Sequence, residues 1–333
     1  MSIKAISTPN IALIKYWGNR NEQWRLPVAD SISMTLDTPS VEVTMEPADT
    51  FSVQSFDADG KENPQSEKSL ARLQKHFDLT RAYLESIGMV DEMPEAISAV
   101  IRSAIPQAIG IASSAAVFSC LAEGYAGLLK QYDLTREQVS VIARLGSGSA
   151  ARSVYGGYVA IKNKEGDGMG SAVAEQIADE KHWLLHDIII VPSKEEKKVG
   201  STEGHAMAAT SPLFAERIKQ MPRRMQECTD AILKRDFEKL RIVAEEDSLN
   251  MHEVMRTQTP SLQYLNDETF RIIKEIEALR KSDKLNVLYT MDAGPTVHLF
   301  CTEDSRKAVE EYAENQKGCS VFKAKVGQGS RLM

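Results

Sequence analysis

Four stretches of the chain carry residue types that can handle anions and protons. Lys15 interrupts the apolar run Ile11-Ala-Leu-Ile-Lys-Tyr-Trp17. Burying a bare ammonium is very costly, so Lys15 either snorkels from an edge strand or enters a cleft and meets a carboxylate or phosphate. The neighbouring Tyr16 and the turn through Gly18, Asn19 and Arg20 favour the cleft. In Gly146-Ser147-Gly148-Ser149-Ala-Ala-Arg152, small residues allow close backbone approach and Arg152 offers a planar fork for carboxylate or phosphate. The plain alternative is an interhelix turn with a surface arginine. Asp292 follows an apolar strand and precedes Ala-Gly-Pro295. A carboxylate there can accept a hydroxyl proton during phosphoryl transfer, or it can merely initiate the turn. The residues alone leave both readings open.

The fourth stretch is Pro106-Gln-Ala-Ile-Gly110-Ile111-Ala112-Ser113-Ser114-Ala-Ala116, which opens an apolar helix reaching about Leu129. Small residues leave the first-turn amides free, where the helix dipole also favours negative charge. Ser113 and Ser114 can add hydroxyl donors to phosphate or an oxygen ligand to Mg²⁺. Alternatively, Ser113 is only an N-cap. A charged segment from Lys194 to Gly204 carries Ser201 and Thr202 at a helix start. It has the composition of a solvated loop or of a lid over a phosphorylated ligand. The histidines show no metal-ligand spacing, so no protein-held metal is predicted.

Strands and helices must position these groups. The patterns predict strands at Ile11–Trp17, Ser31–Leu36, Ser40–Met45, Phe51–Val53 and Ile97–Ile101, with Gly18–Glu22 as a polar turn. A helix is expected from about Ser66 to Ile87, and Thr135-Arg-Glu-Gln138 fits a capping box opening another. Strands follow at Tyr158–Ile161 and Ile188–Val191, then helices near 204–218, 221–235, 236–256 and 266–281. Val287–Thr290, Thr296–Phe300, a helix from about Asp304 and Ser320–Lys325 complete an α+β protein. Two domains are expected, 1–185 and 186–333.

The 333 residues, 42% hydrophobic and 26% charged, describe an ordinary globular protein. A net charge of −7 argues against general nucleic-acid binding. Any anionic ligand must then be held by a local basic pocket. Cys120, Cys228, Cys301 and Cys319 are scattered and form no CxxC pair, which fits a reducing compartment. No signal peptide or spanning segment is expected, and the expected location is cytoplasmic. A homodimer is the expected assembly.

In order, these stretches resemble the diphosphomevalonate decarboxylase family of the GHMP kinase superfamily, over nearly the whole chain. Asn10-Ile-Ala-Leu-Ile-Lys-Tyr-Trp-Gly18 with Ser31-Ile-Ser-Met-Thr-Leu36 is the most specific signature. Gly110–Ala116 is similar to the superfamily phosphate loop, Gly146–Arg152 to its substrate loop and Met291–Pro295 to its catalytic-aspartate motif. Val199–Gly204 and Thr210–Leu213 also resemble a family segment.

The resemblance implies a GHMP-kinase-like two-domain fold with the active site in the interdomain cleft. It implies MgATP-dependent phosphorylation of a tertiary 3-hydroxyl, then loss of phosphate and CO₂ to give an isopentenyl phosphate ester. In this reading Asp292, Lys15 and Arg152 are catalytic. Tyr16, Asn19, Arg20, Ser147, Gly148, Ser149, Ser201 and Thr202 bind the phosphorylated mevalonate. Pro106, Gly110, Ile111, Ala112, Ser113 and Ser114 cradle ATP. Three positions depart from the family pattern. Asn19 stands where many members have lysine, Arg102–Ile105 replaces usual asparagines, and Ala151 replaces a common cysteine. A missing cation at 19 makes phosphomevalonate the alternative substrate, unless Arg20, Lys197 or Lys198 compensates. A mevalonate 3-kinase and a silent binding module rank lower.

Overall fold

The computed structural model describes residues 2–105, 112–129, 131–192 and 201–333. Pro106, Gly110, Ile111 and the lysines at 197 and 198 lie outside the described residues. In the N-terminal half, β1 (Ile3–Ser7), β6 (Val41–Pro47), β8 (Ile97–Ser103) and β7 (Ser52–Asp57) lie side by side, with β15 (Arg331–Leu332) on the outer edge of β1. A second sheet runs β10 (Ala172–Ala178), β9 (Tyr158–Asn163), β5 (Ser31–Thr35), β2 (Asn10–Ile14). The third runs β12 (Val287–Thr290), β13 (Val297–Cys301), β11 (His186–Val191), β14 (Ser320–Lys325), antiparallel throughout.

Helices α1 (Glu67–Ser86), α2 (Ser113–Leu128) and α3 (Arg136–Gly146) belong to the first half. Ser66 caps α1 by accepting from the Ser69 amide, and Thr135 with Gln138 closes the expected capping box on α3. α2 is apolar on most sides and is enclosed by α1, α3 and the first sheet. The second half adds α4 (Ser201–Met207), α5 (Phe214–Lys234), α6 (Phe237–Thr257), α7 (Asp267–Asp283) and α8 (Glu303–Glu314). One apolar cluster joins Ile11, Ile32 and Met34 to Ile189, Leu288 and Phe300, so the two halves share a core. That shared core fixes the walls between which the cleft opens.

Several elements differ from the sequence reading. Gly18–Glu22 is a short hairpin rather than a free turn, β3 (Asn19–Asn21) pairing with β4 (Leu26–Pro27). The helix break expected between 218 and 221 is absent. α5 runs through Pro222, which is exposed, while Met221, Met225 and Cys228 anchor the helix in the core. Burial of that face outweighs the one backbone hydrogen bond a proline removes. β10 and β15 were not expected, being polar at one end or only two residues long. Ser31–Thr35 is buried at every residue instead of alternating, because both faces of β5 are covered. Ser113 is the first helical residue of α2, and Ala112 is its N-cap. Among the described residues no helix is long and apolar enough to cross a membrane.

Candidate active site

β2 ends at Ile14, and its register against β5 shifts between Ala12 and Ile14. Such a bulge re-aims the side chain at a strand end. The re-aimed residue is Lys15, 2% exposed, whose Nζ donates to the Ala12 carbonyl at 2.8 Å and to Asp292 Oδ1 at 2.7 Å. Asp292 follows β12, and its turn is closed by the Gly294 amide donating to the Asp292 carbonyl at 2.7 Å. The carboxylate is therefore free of the turn and pairs with Lys15, leaving 29% of the Asp292 side chain exposed to the cleft.

Electrostatics hold this pair ionised from the carboxylate side. Burial pushes the Asp292 carboxyl up, but Lys15, His298 and Arg152 together hold it below the ordinary carboxylate range. Burial lowers the Lys15 ammonium, and Asp292 opposes that shift. Arg152, also buried, donates from Nε to Asn10 Oδ1 at 3.1 Å and from Nη1 to Ser31 Oγ at 2.6 Å. Burial pulls it down to about 10, so it stays charged at neutral pH. Arg152 lines the cleft, and its Nη2 has no hydrogen-bond partner among the described residues. Asn10 and Ser31 thus fix the orientation of the fork at the cleft.

The cleft has a volume of about 1090 Å³ and takes Lys15, Tyr16, Ser147 and Arg152 from the first half with His205, Met251 and Asp292 from the second. Tyr16 donates to Asn19 Oδ1, and burial raises its phenol to about 12. A Cβ at Gly148 would come within 2.3 Å of the Tyr16 ring, so only glycine lets that loop close over the aromatic. His205 stacks against both Tyr16 and Trp17, at 4.3 and 4.5 Å between ring centres. It accepts from the Gly18 amide through Nδ1 at 2.9 Å, and burial lowers it to about 3. It is a neutral wall residue, not a proton donor at neutral pH.

At the other wall, α2 begins at Ser113 after Ala112, whose φ of 26° is left-handed and which provides no side-chain cap. Of its first-turn amides, that of Ala115 donates to the Ala112 carbonyl at 2.9 Å, and those of Ser113 and Ser114 have no acceptor among the described residues, where an anion can be received. Ser114 Oγ lies 3.2 Å from Ser147 Oγ, which ties the phosphate-loop candidate to the substrate-loop candidate. Ser113, Ser114, Ser147, Gly148 and Ser149 all line the same cleft.

Arg20 does not join them. Its guanidinium binds Asp167 and the carbonyls of Gly166 and Ser171, on the outside of the β9–β10 turn. Asn19 lines the cleft, but its amide is engaged by Tyr16 and by Glu22 Oε2 at 2.9 Å. Ser201 and Thr202 open α4, and their side chains lie outside the described set. Two arginines that the sequence reading missed line the same cleft. Arg25 donates to the Leu145 carbonyl at 3.1 Å and Arg72 to the Gly146 carbonyl at 3.0 Å. Arg72 also lies 4.6 Å over the Phe118 ring. Burial first, then Arg25 beside it, lowers Arg72 to about 10. Among the described residues neither guanidinium has a carboxylate partner, and both line the cleft.

Residues 7–173 match the family model of the diphosphomevalonate decarboxylase-like N-terminal domain, and 187–326 that of the mevalonate 5-diphosphate decarboxylase C-terminal domain. The chain belongs to the diphosphomevalonate decarboxylase family. The family's enzyme from Debaryomyces hansenii is 34% identical over 315 residues, covering 92% of this chain and 80% of that one. The human enzyme is 34% identical over 307 residues, covering 89% and 76%. Among solved structures, mevalonate diphosphate decarboxylase from Staphylococcus aureus superposes with a TM-score of 0.86 at 26% identity, covering 100% of this chain and 98% of the other. A structure named MDDEF, in complex with MVAPP, AMPPCP and magnesium, has a TM-score of 0.86 at 27% identity, covering 100% and 99%. The α+β, two-domain GHMP-like arrangement expected from the sequence is the fold of these decarboxylases.

Proposed function

We propose that the protein catalyses ATP-dependent decarboxylation of 5-diphosphomevalonate to isopentenyl diphosphate. The observation that carries the reading is the Lys15–Asp292 pair, opening beside the Arg152 fork into a cleft whose far wall is the start of α2, which has no side-chain cap. The domains proposed are 1–185 and 186–333, meeting at that cleft. Asp292 accepts the proton of the tertiary 3-hydroxyl as that oxygen takes the γ-phosphoryl group. Lys15 keeps the carboxylate ionised beforehand and stabilises charge on the transferring group. A tertiary alkoxide cannot be expelled, whereas phosphate can. The C3–O bond then breaks with the electron pair leaving on phosphate, and the pair of the C1–C2 bond forms the alkene as CO₂ departs. Arg152 holds the carboxylate in line for that step.

Among the described residues no cluster of three His, Cys, Asp or Glu side chains could hold a metal ion. The donor set is instead the hydroxyls of Ser113 and Ser114 at the start of α2, which fits Mg²⁺ carried on nucleotide phosphates. When bound, Mg²⁺ neutralises phosphate charge. Arg25 and Arg72 supply the cations that Asn19 and Arg20 do not, which supports the diphosphate over the monophosphate. The four cysteines are free thiols, supporting a cytoplasmic setting, and a homodimer is the assembly proposed there.

Incubation with MgATP and 5-diphosphomevalonate should release ADP and CO₂ one for one. ADP without CO₂ would make the protein a 3-kinase, and tight binding without turnover would make it a binding module. Replacing both Ser113 and Ser114 by alanine should weaken ATP by about 1–3 kcal/mol, the cost of hydrogen bonds to a charged group. Affinity for the mevalonate ester should change less. Because Ala112 and not Ser113 is the N-cap, the melting temperature should hold; its collapse with unchanged nucleotide affinity would return these serines to a structural role.

A further inference from the structure

Two consecutive residues in the middle of α6 grip the backbone on both sides of the reacting pair. Asp247 is fully buried, and its Oδ2 accepts the Lys15 amide at 2.6 Å. Arg217 of α5 donates to the Lys15 carbonyl at 3.1 Å and to Asp247 Oδ1 at 2.9 Å, while Arg224 donates to the same oxygen at 3.0 Å. Ser248, also fully buried, accepts the Met291 amide at 3.0 Å and donates to the Met291 carbonyl at 3.3 Å. Met291 is the residue before Asp292.

Both peptides need such a grip. Lys15 lies just past the bulged end of β2, and Met291 just past the end of β12. Neither is held there by a sheet ladder, yet a buried amide and carbonyl must be bonded to something. The helix supplies what the sheets do not. Lys15 comes from one half of the chain and Asp292 from the other, so α6 is the common reference against which their side chains are set.

We propose that Asp247 and Ser248 are positioning residues, a jig on α6 that fixes the geometry of the Lys15–Asp292 pair. Neither lines the cleft. The proposal rests on the reading of that pair as the reacting one. Charge at Asp292 is set by Lys15 at the end of β2, Arg152 after α3 and His298 of β13, the last buried against Asp187 of β11 at 2.8 Å. His252 faces the same carboxylate from α6, where burial lowers it to about 4, so it is neutral. Loosening Lys15 removes the largest of the groups that hold the carboxylate ionised, so its protonation should begin at higher pH.

The test is steady-state kinetics of Ser248→Ala and Asp247→Asn with MgATP and 5-diphosphomevalonate across pH. Small misplacement of reacting groups costs roughly tenfold to a hundredfold. Each variant should lose that much kcat with both KM values within about twofold, and the acid limb of kcat should move to higher pH. Ser248→Thr, which keeps the hydroxyl, should recover most of the rate. Unchanged kcat in folded Ser248→Ala overturns the proposal, and so does a loss shared equally by KM and kcat with the acid limb unmoved. Failure of both variants to fold would assign these contacts to the fold alone and overturn it too. Asp292→Asn, measured alongside, separates the two ideas: activity surviving in it sinks the reading of the pair itself, whatever the α6 variants do.

Discussion

Asp292→Asn will lower kcat by about 10³-fold or more while leaving ATP affinity within about twofold, given that a positioned general base contributes roughly 10²–10⁴. The amide has the carboxylate's shape but cannot accept the hydroxyl proton, so the loss falls on the chemical step. The variant should fold. Lys15 would lose its counter-charge, but burial already lowers that ammonium, and its second bond, to the Ala12 carbonyl, remains. The wild-type pH profile carries the matching sign. A carboxylate held below its ordinary range is ionised above that depressed pKa, so activity falls only as the pH drops through it. Single-turnover ADP release and calorimetric nucleotide titration check both halves of the expectation. A variant retaining a tenth of wild-type kcat would remove Asp292 from the proton transfer.

The groups legible in the sequence were those whose type conflicts with their surroundings. Lys15 in an apolar run and Asp292 after an apolar strand are anomalies that burial makes costly, and the structure resolves each with the other. Arg152 stood out because its neighbours are too small to need an arginine for packing. Arg25 and Arg72 carried no such mark. One sits in a hairpin and the other on an amphipathic helix, where charges are ordinary, and only the fold brings both to the carbonyls ending α3. Arg20 misled for the converse reason. Its nearness in sequence to Tyr16 suggested the cleft, but strand pairing in β3 turns it outward to Asp167. α5 shows the same limit at the level of elements, since segments expected separately at 204–218 and 221–235 are joined by one helix whose buried face runs past Pro222.

Arg72→Met will cut kcat/KM for 5-diphosphomevalonate by roughly tenfold to over a hundredfold and cut that for the 5-phosphate much less. A hydrogen bond to a charged group is worth about 1.5–3 kcal/mol, and each 1.4 kcal/mol is about tenfold. Among the described residues Arg25 and Arg72 have carbonyls as their only hydrogen-bond partners, and the Arg25 charge beside it adds to the cost of leaving Arg72 unpaired. Arg72 Nε is buried without a partner among the described residues, which marks the pair as incomplete without an anion. The α3 C-terminus holds them in place through its negative dipole end, but it neutralises only part of two full charges. A terminal phosphate neutralises the rest; a single 5-phosphate, one phosphoryl unit shorter, does not reach as far. Asn19 cannot take over this task, because Tyr16 and Glu22 already engage its amide. Asn19→Lys should therefore change the ratio of the two esters less than Arg72→Met does. Measuring kcat/KM for both esters in wild type and both variants decides it. If the ratio is unchanged in Arg72→Met and moves in Asn19→Lys, position 19 reads the terminal phosphate and the arginine pair does not.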